Sequence, residues 1–235
     1  MKAPLRLAAP LAAASATLAL TATGASAATT TIHEETAAGA PYSGNWQVST
    51  VGTIDFSVNF LGAKVTGSCD GAKLQGTVVP TGAGELTAAS IGACRTSNGL
   101  SSPATDLDLG DVADKSGQVA YDPVEGGRDG VLSINGDLRF KIEGKVLGIT
   151  VTCYYGFRTG NTDGLVIDVY NRDNPNRPLP GQDDAQGRSD NITLVRESGS
   201  SGLCPSNGTG TGAGIARGES TPGSGVFDRK LYLTS

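Results

Sequence analysis

Alternation with a period of two runs through much of this chain. Thr53-Ile54-Asp55-Phe56-Ser57-Val58-Asn59-Phe60 sets Ile54, Phe56, Val58 and Phe60 on one face and Asp55, Ser57 and Asn59 on the other, the pattern of a strand with one buried side. Lys73 to Val79 and Glu85 to Cys94 read as a strand pair around Pro80-Thr81-Gly82-Ala83-Gly84. Val131 to Ile134 and Leu138 to Ile142 flank Asn135-Gly136, and both turn residues tolerate positive φ, which predicts a tight hairpin. Val146 to Phe157 puts Ile149, Val151, Cys153, Tyr155 and Phe157 on one side, and Leu165 to Tyr170, Ile192 to Val195 and Val226 to Leu233 complete the set.

No segment combines helical periodicity with a cap and adequate length. Glycine, 34 of 235 residues, is at about twice its usual share and interrupts every candidate helix. Many short strands joined by turns predict an all-β domain over residues 45–235, an antiparallel β-sandwich or partly closed barrel of about 8–10 strands. Residues 28–44, rich in Thr and Ala, read as a flexible lead-in. Asn171 to Asn191 and Ser198 to Gly225 have few apolar positions and read as long exposed loops.

The first residues change the picture. Lys2 and Arg6 precede an alanine-rich apolar run from Leu7 through Leu20, and Ala25-Ser26-Ala27 supplies a small-x-small cleavage pattern. Residues 1–27 are therefore expected to be a signal peptide cleaved after Ala27, the product being secreted. Ser15, Thr17, Thr21 and Thr23 thin the run below what a spanning helix needs, so no integral membrane segment is expected after cleavage. Losing Lys2 and Arg6 takes the formal charge from −5 to −7. With no basic cluster, nucleic acid is not an expected partner, because such binding rests on neutralising phosphates.

Export also decides how the cysteines are read. Cys69, Cys94, Cys153 and Cys204 form an even set bound for an oxidising compartment, so two disulfides are expected. Three pairings are possible. Sequence order favours Cys69–Cys94 and Cys153–Cys204, each closing a moderate loop. A zinc site fits poorly, since no C-x-x-C pair occurs and His33 is the sole histidine.

Little catalytic chemistry remains. A Ser-His-Asp hydrolase would have to use His33, six residues into the mature chain, and no G-x-S-x-G occurs. Gly208 to Gly218, G-T-G-T-G-A-G-I-A-R-G, satisfies neither nucleotide-binding glycine pattern and reads as a flexible loop. Carboxylates cluster at Asp106, Asp108, Asp111 and Asp114, and again at Asp183 and Asp184. A glycosidase needs two such groups across a cleft. Calcium could use Asp106, Asp108 and Asp173, although neither run matches the twelve-residue calcium loop. No cofactor is expected. Trp46, the sole tryptophan, is either a sugar-stacking surface group or a core residue, and its place beside a first strand favours the core.

The alanine-rich export signal, the small-residue strands, and Val65-Thr66-Gly67-Ser68-Cys69 with Leu86-Thr87-Ala88-Ala89-Ser90-Ile91-Gly92-Ala93-Cys94 resemble a broad group of uncharacterised secreted β-rich proteins of high-GC Gram-positive bacteria (actinobacteria) with two cysteine pairs. That resemblance implies a β scaffold and an extracellular habitat, and it assigns no catalytic residue.

Three functional classes follow. The leading expectation is a secreted non-catalytic binding or cell-envelope-associated protein, its partner an extracellular protein or polysaccharide met on a loop-rimmed face with one or two exposed aromatics. An extracellular hydrolase would show a cleft in which a carboxyl of raised pKa stands beside an ionised one. A protease inhibitor would show a rigid exposed loop near a disulfide, after Cys94 with Arg95 entering a specificity pocket, or before Cys204.

Overall fold

The computed structural model of the protein describes residues 29–60, 62–97, 99, 101–103, 105–109, 115–136, 138–146, 148–159 and 162–235. The expected signal peptide over residues 1–27, Asp111 and Asp114 lie outside them. Among the described residues the structure is all-β with two disulfides.

The described residues form seventeen strands: β1 (Thr31–Glu34), β2 (Gly44–Thr50), β3 (Ile54–Phe60), β4 (Ala63–Cys69), β5 (Ala72–Val78), β6 (Ala83–Ile91), β7 (Cys94–Thr96), β8 (Ser101–Ser102), β9 (Thr105–Asp106), β10 (Ser116–Tyr121), β11 (Gly130–Asn135), β12 (Arg139–Val146), β13 (Ile149–Thr159), β14 (Thr162–Tyr170), β15 (Ala185–Arg196), β16 (Asn207–Glu219) and β17 (Phe227–Thr234). Eight close an antiparallel barrel in the order β2, β5, β6, β10, β11, β14, β15, β16 and back to β2. Closure removes the unpaired edges that an open sheet would expose.

Apart from β9, which pairs with β6, the remaining strands attach through the two longest central ones. Ala185–Ser189 of β15 and Gly212–Ala216 of β16 pair within the barrel, while the same strands continue past a register shift at Ser189/Ile192. Beyond it, β16 takes β3 as its neighbour and β15 takes β13. A side sheet β16–β3–β4–β7–β8 thus grows from one strand, and β13–β12 from the other. The bulge lets two strands turn from one curved sheet into the next.

One apolar core fills both parts. Trp46, Leu74 and Leu86 from the barrel are buried in the same cluster as Phe140, Val151 and Tyr155 from the side sheet. Phe140 lies 5.7 Å from the Tyr155 ring and 5.6 Å from Phe157. Cys69–Cys94 joins the paired strands β4 and β7, and Cys153–Cys204 ties β13 to the connection between β15 and β16. Both bridges are those favoured by sequence order.

Four local expectations are corrected. Within residues 28–44, Thr31–Glu34 is not a flexible lead-in but pairs along β17, with Ile32 buried and its amide donating to the Pro80 carbonyl. Asn135-Gly136 does not join a hairpin: β11 pairs with β10 and β14, whereas β12 pairs with β13 through a turn closing at Gly148 (φ +81°). Much of each long loop is strand. Residues 185–191 belong to β15 and 207–219 to β16. Finally, the glycine run 208–218 is the most connected strand of the fold, pairing with β15, β2, β3 and β17. Glycine is needed where backbones crowd: a Cβ at Gly214 would lie 2.5 Å from the Ser49 carbonyl oxygen.

What remains of the first loop is held rigidly. Buried Asn171 donates to the Leu233 carbonyl at 2.9 Å and accepts the Leu233 amide at 2.7 Å. Asn174 donates to Gly127 O and to Asp129, and accepts the Asn176 amide. Gln186 accepts the Leu179 amide at 2.7 Å and donates to the carbonyls of Leu179 and Gln182. Three amide side chains, each using both its donor and its acceptor, replace the apolar contacts this segment lacks.

Candidate functional site

The carboxylates do not assemble. Asp108 pairs with Arg139 at 2.6 Å, which raises the guanidinium pKa through that hydrogen bond and charge. Asp106 lies on β9 opposite Ser90 of β6 and borders a hollow shared with Asp70. Asp173 is elsewhere, after β14, accepting a hydrogen bond from the Tyr232 hydroxyl at 2.9 Å. Among the described residues no three His, Cys, Asp or Glu side chains form a group able to hold a metal ion. Asp184 is buried in a two-pronged ion pair with Arg217, both contacts 2.9 Å, and Asp183 pairs with Lys230 at 2.7 Å.

Glu143, Asp183 and Glu219 have displaced pKa values, and all three move downward. Glu143 is lowered by its hydrogen bond from Lys141, Asp183 by that from Lys230, and Glu219 by the amides of Gly225 and Gly223. Each is held ionised, the opposite of what a general acid needs. Buried tyrosines move upward. Burial pushes Tyr155 up to about 12, and burial with the Asp173 hydrogen bond does the same for Tyr232.

The aromatic and inhibitor positions are also fixed. Trp46 is 8% exposed, its indole N–H donating to the Thr77 carbonyl at 3.1 Å, and Tyr155 is buried beside its disulfide. Arg95 stands within the sheet, between β4 and β8, and its exposed guanidinium meets Asp70 at 3.0 Å. Before Cys204, the exposed Leu203 occupies a turn closed by the Cys204 amide donating to Ser201 O. An inhibitory loop has to lie extended along a protease cleft to pair as a strand, and this backbone is folded back on itself.

A different surface collects side chains of one chemistry. The outward face of β16, β3, β4 and β7 carries two rows across four strands. Thr209 lies opposite Ser57, Ser57 opposite Thr66, and Ser97 follows, its amide donating to Thr66 O and its hydroxyl accepting the Thr66 amide at 3.2 Å. The second row is Thr211, Asp55, Ser68 and Arg95. Rows run at the strand spacing of about 4.8 Å, and positions two apart on a strand are about 6.7 Å apart. Six of these eight side chains are hydroxyls, each both donor and acceptor; one carboxylate and one guanidinium complete the set.

This face is a shallow hollow, open to solvent. Its residues, with Lys64 at one end, line a hollow of about 710 Å³, within the range of ligand sites. Gly67 and the Phe56 ring floor it; a Cβ at Gly67 would lie 2.3 Å from Phe56 Cζ, so the missing side chain lets the ring sit close beneath the sheet. Sequence reading had the parts without the whole. Asp55, Ser57 and Asn59 are the polar phase of the clearest alternation in the chain, and Thr209 and Thr211 are the polar phase of the glycine run. Nothing local says that β16 brings these two sets side by side.

Comparison with protein-family models, with curated proteins and with solved structures finds no match.

Proposed function

We propose that this is a secreted, non-catalytic binding protein that holds an extracellular polysaccharide in the hydroxyl-lined hollow over β3, β4, β7 and β16. The cross-strand array carries the reading: Thr209, Ser57, Thr66 and Ser97 beside Thr211, Asp55, Ser68 and Arg95, in a hollow of ligand size. A polymer of hydroxylated rings presents repeated donors and acceptors, and a sheet face presents their complement at regular spacing. Two disulfides and a closed barrel hold that face in shape before the ligand arrives, which lowers the ordering cost of binding. The reading of residues 1–27 as an export signal supports an encounter with such polymers.

Neither rival class has comparable support. The displaced carboxyls are lowered rather than raised, and the two candidate inhibitory positions are a mid-sheet arginine and a closed turn.

Retention of the purified mature protein on insoluble cell-wall glycan, cellulose and chitin, followed by calorimetry with soluble fragments of any polymer that retains it, tests the reading. Ser57→Arg, which projects a long cation into the hollow from an outward position, should weaken binding at least tenfold with the melting temperature preserved. Equal binding by Ser57→Arg, or no retention of the wild type on any of the three polymers, overturns it.

A further inference from the structure

Inside the molecule, where the barrel meets the side sheet, lies an almost wholly apolar cavity of about 110 Å³. Ile54, Phe56, Leu138, Phe140 and Leu194 contribute its walls, together with Gly210, Gly212 and Gly214 of β16. The glycines make the room, and they are not equivalent. At Gly214 the neighbouring backbone excludes any side chain. At Gly210 an added Cβ would meet only the Asp55 carbonyl oxygen and Leu194 Cδ2, both at 4.0 Å, an ordinary contact. At Gly212 it would approach Ile54 Cγ1 at 3.3 Å, a few tenths of an ångström from comfort. Backbone geometry therefore does not require glycine at 210. A methyl or isopropyl group there would fill space, bury apolar surface and favour the strand conformation.

We infer that this emptiness is a binding site for one small apolar molecule, a monocyclic aromatic or a hydrocarbon of similar size. Apolar cavities of roughly 150 Å³ in proteins stay dry and admit benzene or xenon, and this one is only modestly smaller. Its walls offer almost no polar partner, so water gains little by entering and an apolar guest loses nothing. Half-buried wall residues such as Ile54 and Ile192 reach solvent, which gives a guest a short path between side chains. The site lies on the other side of the sheet from the hollow on the outer face: Phe56 and Thr211 border both, whereas Ser57, Thr66, Ser97 and Thr209 line the hollow alone.

Benzene is the probe. Titrated into the full mature protein, it should shift the methyl NMR resonances of Ile54 and Leu194 saturably. It should also raise the melting temperature by about 3–5 °C at tenfold excess over Kd. Gly210→Val should abolish both responses while melting no lower than the wild type, and Gly210→Ala should weaken them if valine proves too large to fold. Unmoved Ile54 and Leu194 methyls in the wild type would reduce the cavity to a packing void. A benzene response that persists unchanged in the folded Gly210 variant would place the binding elsewhere. Either result overturns the inference.

Discussion

Removing the bridge between Cys153 and Cys204 offers a quantitative check on how this barrel is stabilised. The two residues are 51 apart in sequence. In the chain-entropy model a closed loop of that length stabilises the fold by roughly 4 kcal/mol, against roughly 3.5 kcal/mol for the 25-residue loop closed by Cys69–Cys94. A domain of this kind has a total stability of about 5–15 kcal/mol, so either loss is a large fraction. Both sulfurs of the longer bridge are buried, and the connection it anchors has further supports. Tyr154 O accepts the Glu197 amide at 2.8 Å, Thr152 O accepts the Ser201 amide at 2.9 Å, and Cys204 O accepts a hydrogen bond from Arg196 at 2.9 Å. Those bonds should keep the native conformation near its present form in Cys153→Ser/Cys204→Ser, so that the effect falls mainly on the unfolded chain. Guanidinium unfolding followed through Trp46, the single tryptophan and a buried one, gives the stability of each double variant. The longer bridge should cost about 4 kcal/mol, and slightly more than the shorter one. A cost below about 1 kcal/mol, or the reverse ranking, would show that restricting the unfolded chain is not how these bridges act.

Two further outcomes follow from buried polar groups. Gln186→Ala removes three hydrogen bonds that hold 179–182 against the barrel; it should cost about 2–3 kcal/mol and speed hydrogen exchange at the Leu179 amide, while unchanged exchange there would refute a clamped loop. Glu219 has a pKa lowered by the Gly225 and Gly223 amides, so its stabilisation is present above the ordinary glutamate value of about 4.3 and disappears as pH falls through the lower folded value. Glu219→Gln should therefore be less stable than the wild type at pH 7 and match it in strong acid; a stability gap independent of pH would contradict the assignment.

Much of the architecture was legible because it is written in side chains two residues apart. The alternation from Thr53 to Phe60 becomes β3, with Phe56 in the core and Asp55 and Ser57 outside. Lys73 to Val79 and Glu85 to Cys94 become the paired strands β5 and β6, except that β6 ends at Ile91 and Cys94 opens β7. Burial of Cys153 and Tyr155 on one side of β13 follows from the same rule. The disulfides were legible for a different reason: an even set of four cysteines with moderate spacings and no metal-site pattern leaves few pairings.

Three features needed the folded chain. Strand signals depend on apolar side chains, and β16 supplies glycine where other strands supply valine, so its inward side reads as loop until a neighbouring backbone is seen to lie against it. Asn135-Gly136 satisfies the local chemistry of a tight turn, and Gly136 does adopt φ +98°. Yet turn chemistry fixes a change of direction and not the partner, and barrel closure gives β11 and β12 different neighbours. The candidate site is the third case. Hydroxyls at Ser57, Thr66, Ser97 and Thr209 are unremarkable along the chain, the first and last being 152 residues apart. Sequence by itself determined which faces would be wet and which dry, since that depends only on side-chain polarity and a period of two. Only the tertiary structure decided which wet faces adjoin in one hollow, because the long-range pairing of β16 with β3 beyond the bulge is selected by the fold as a whole.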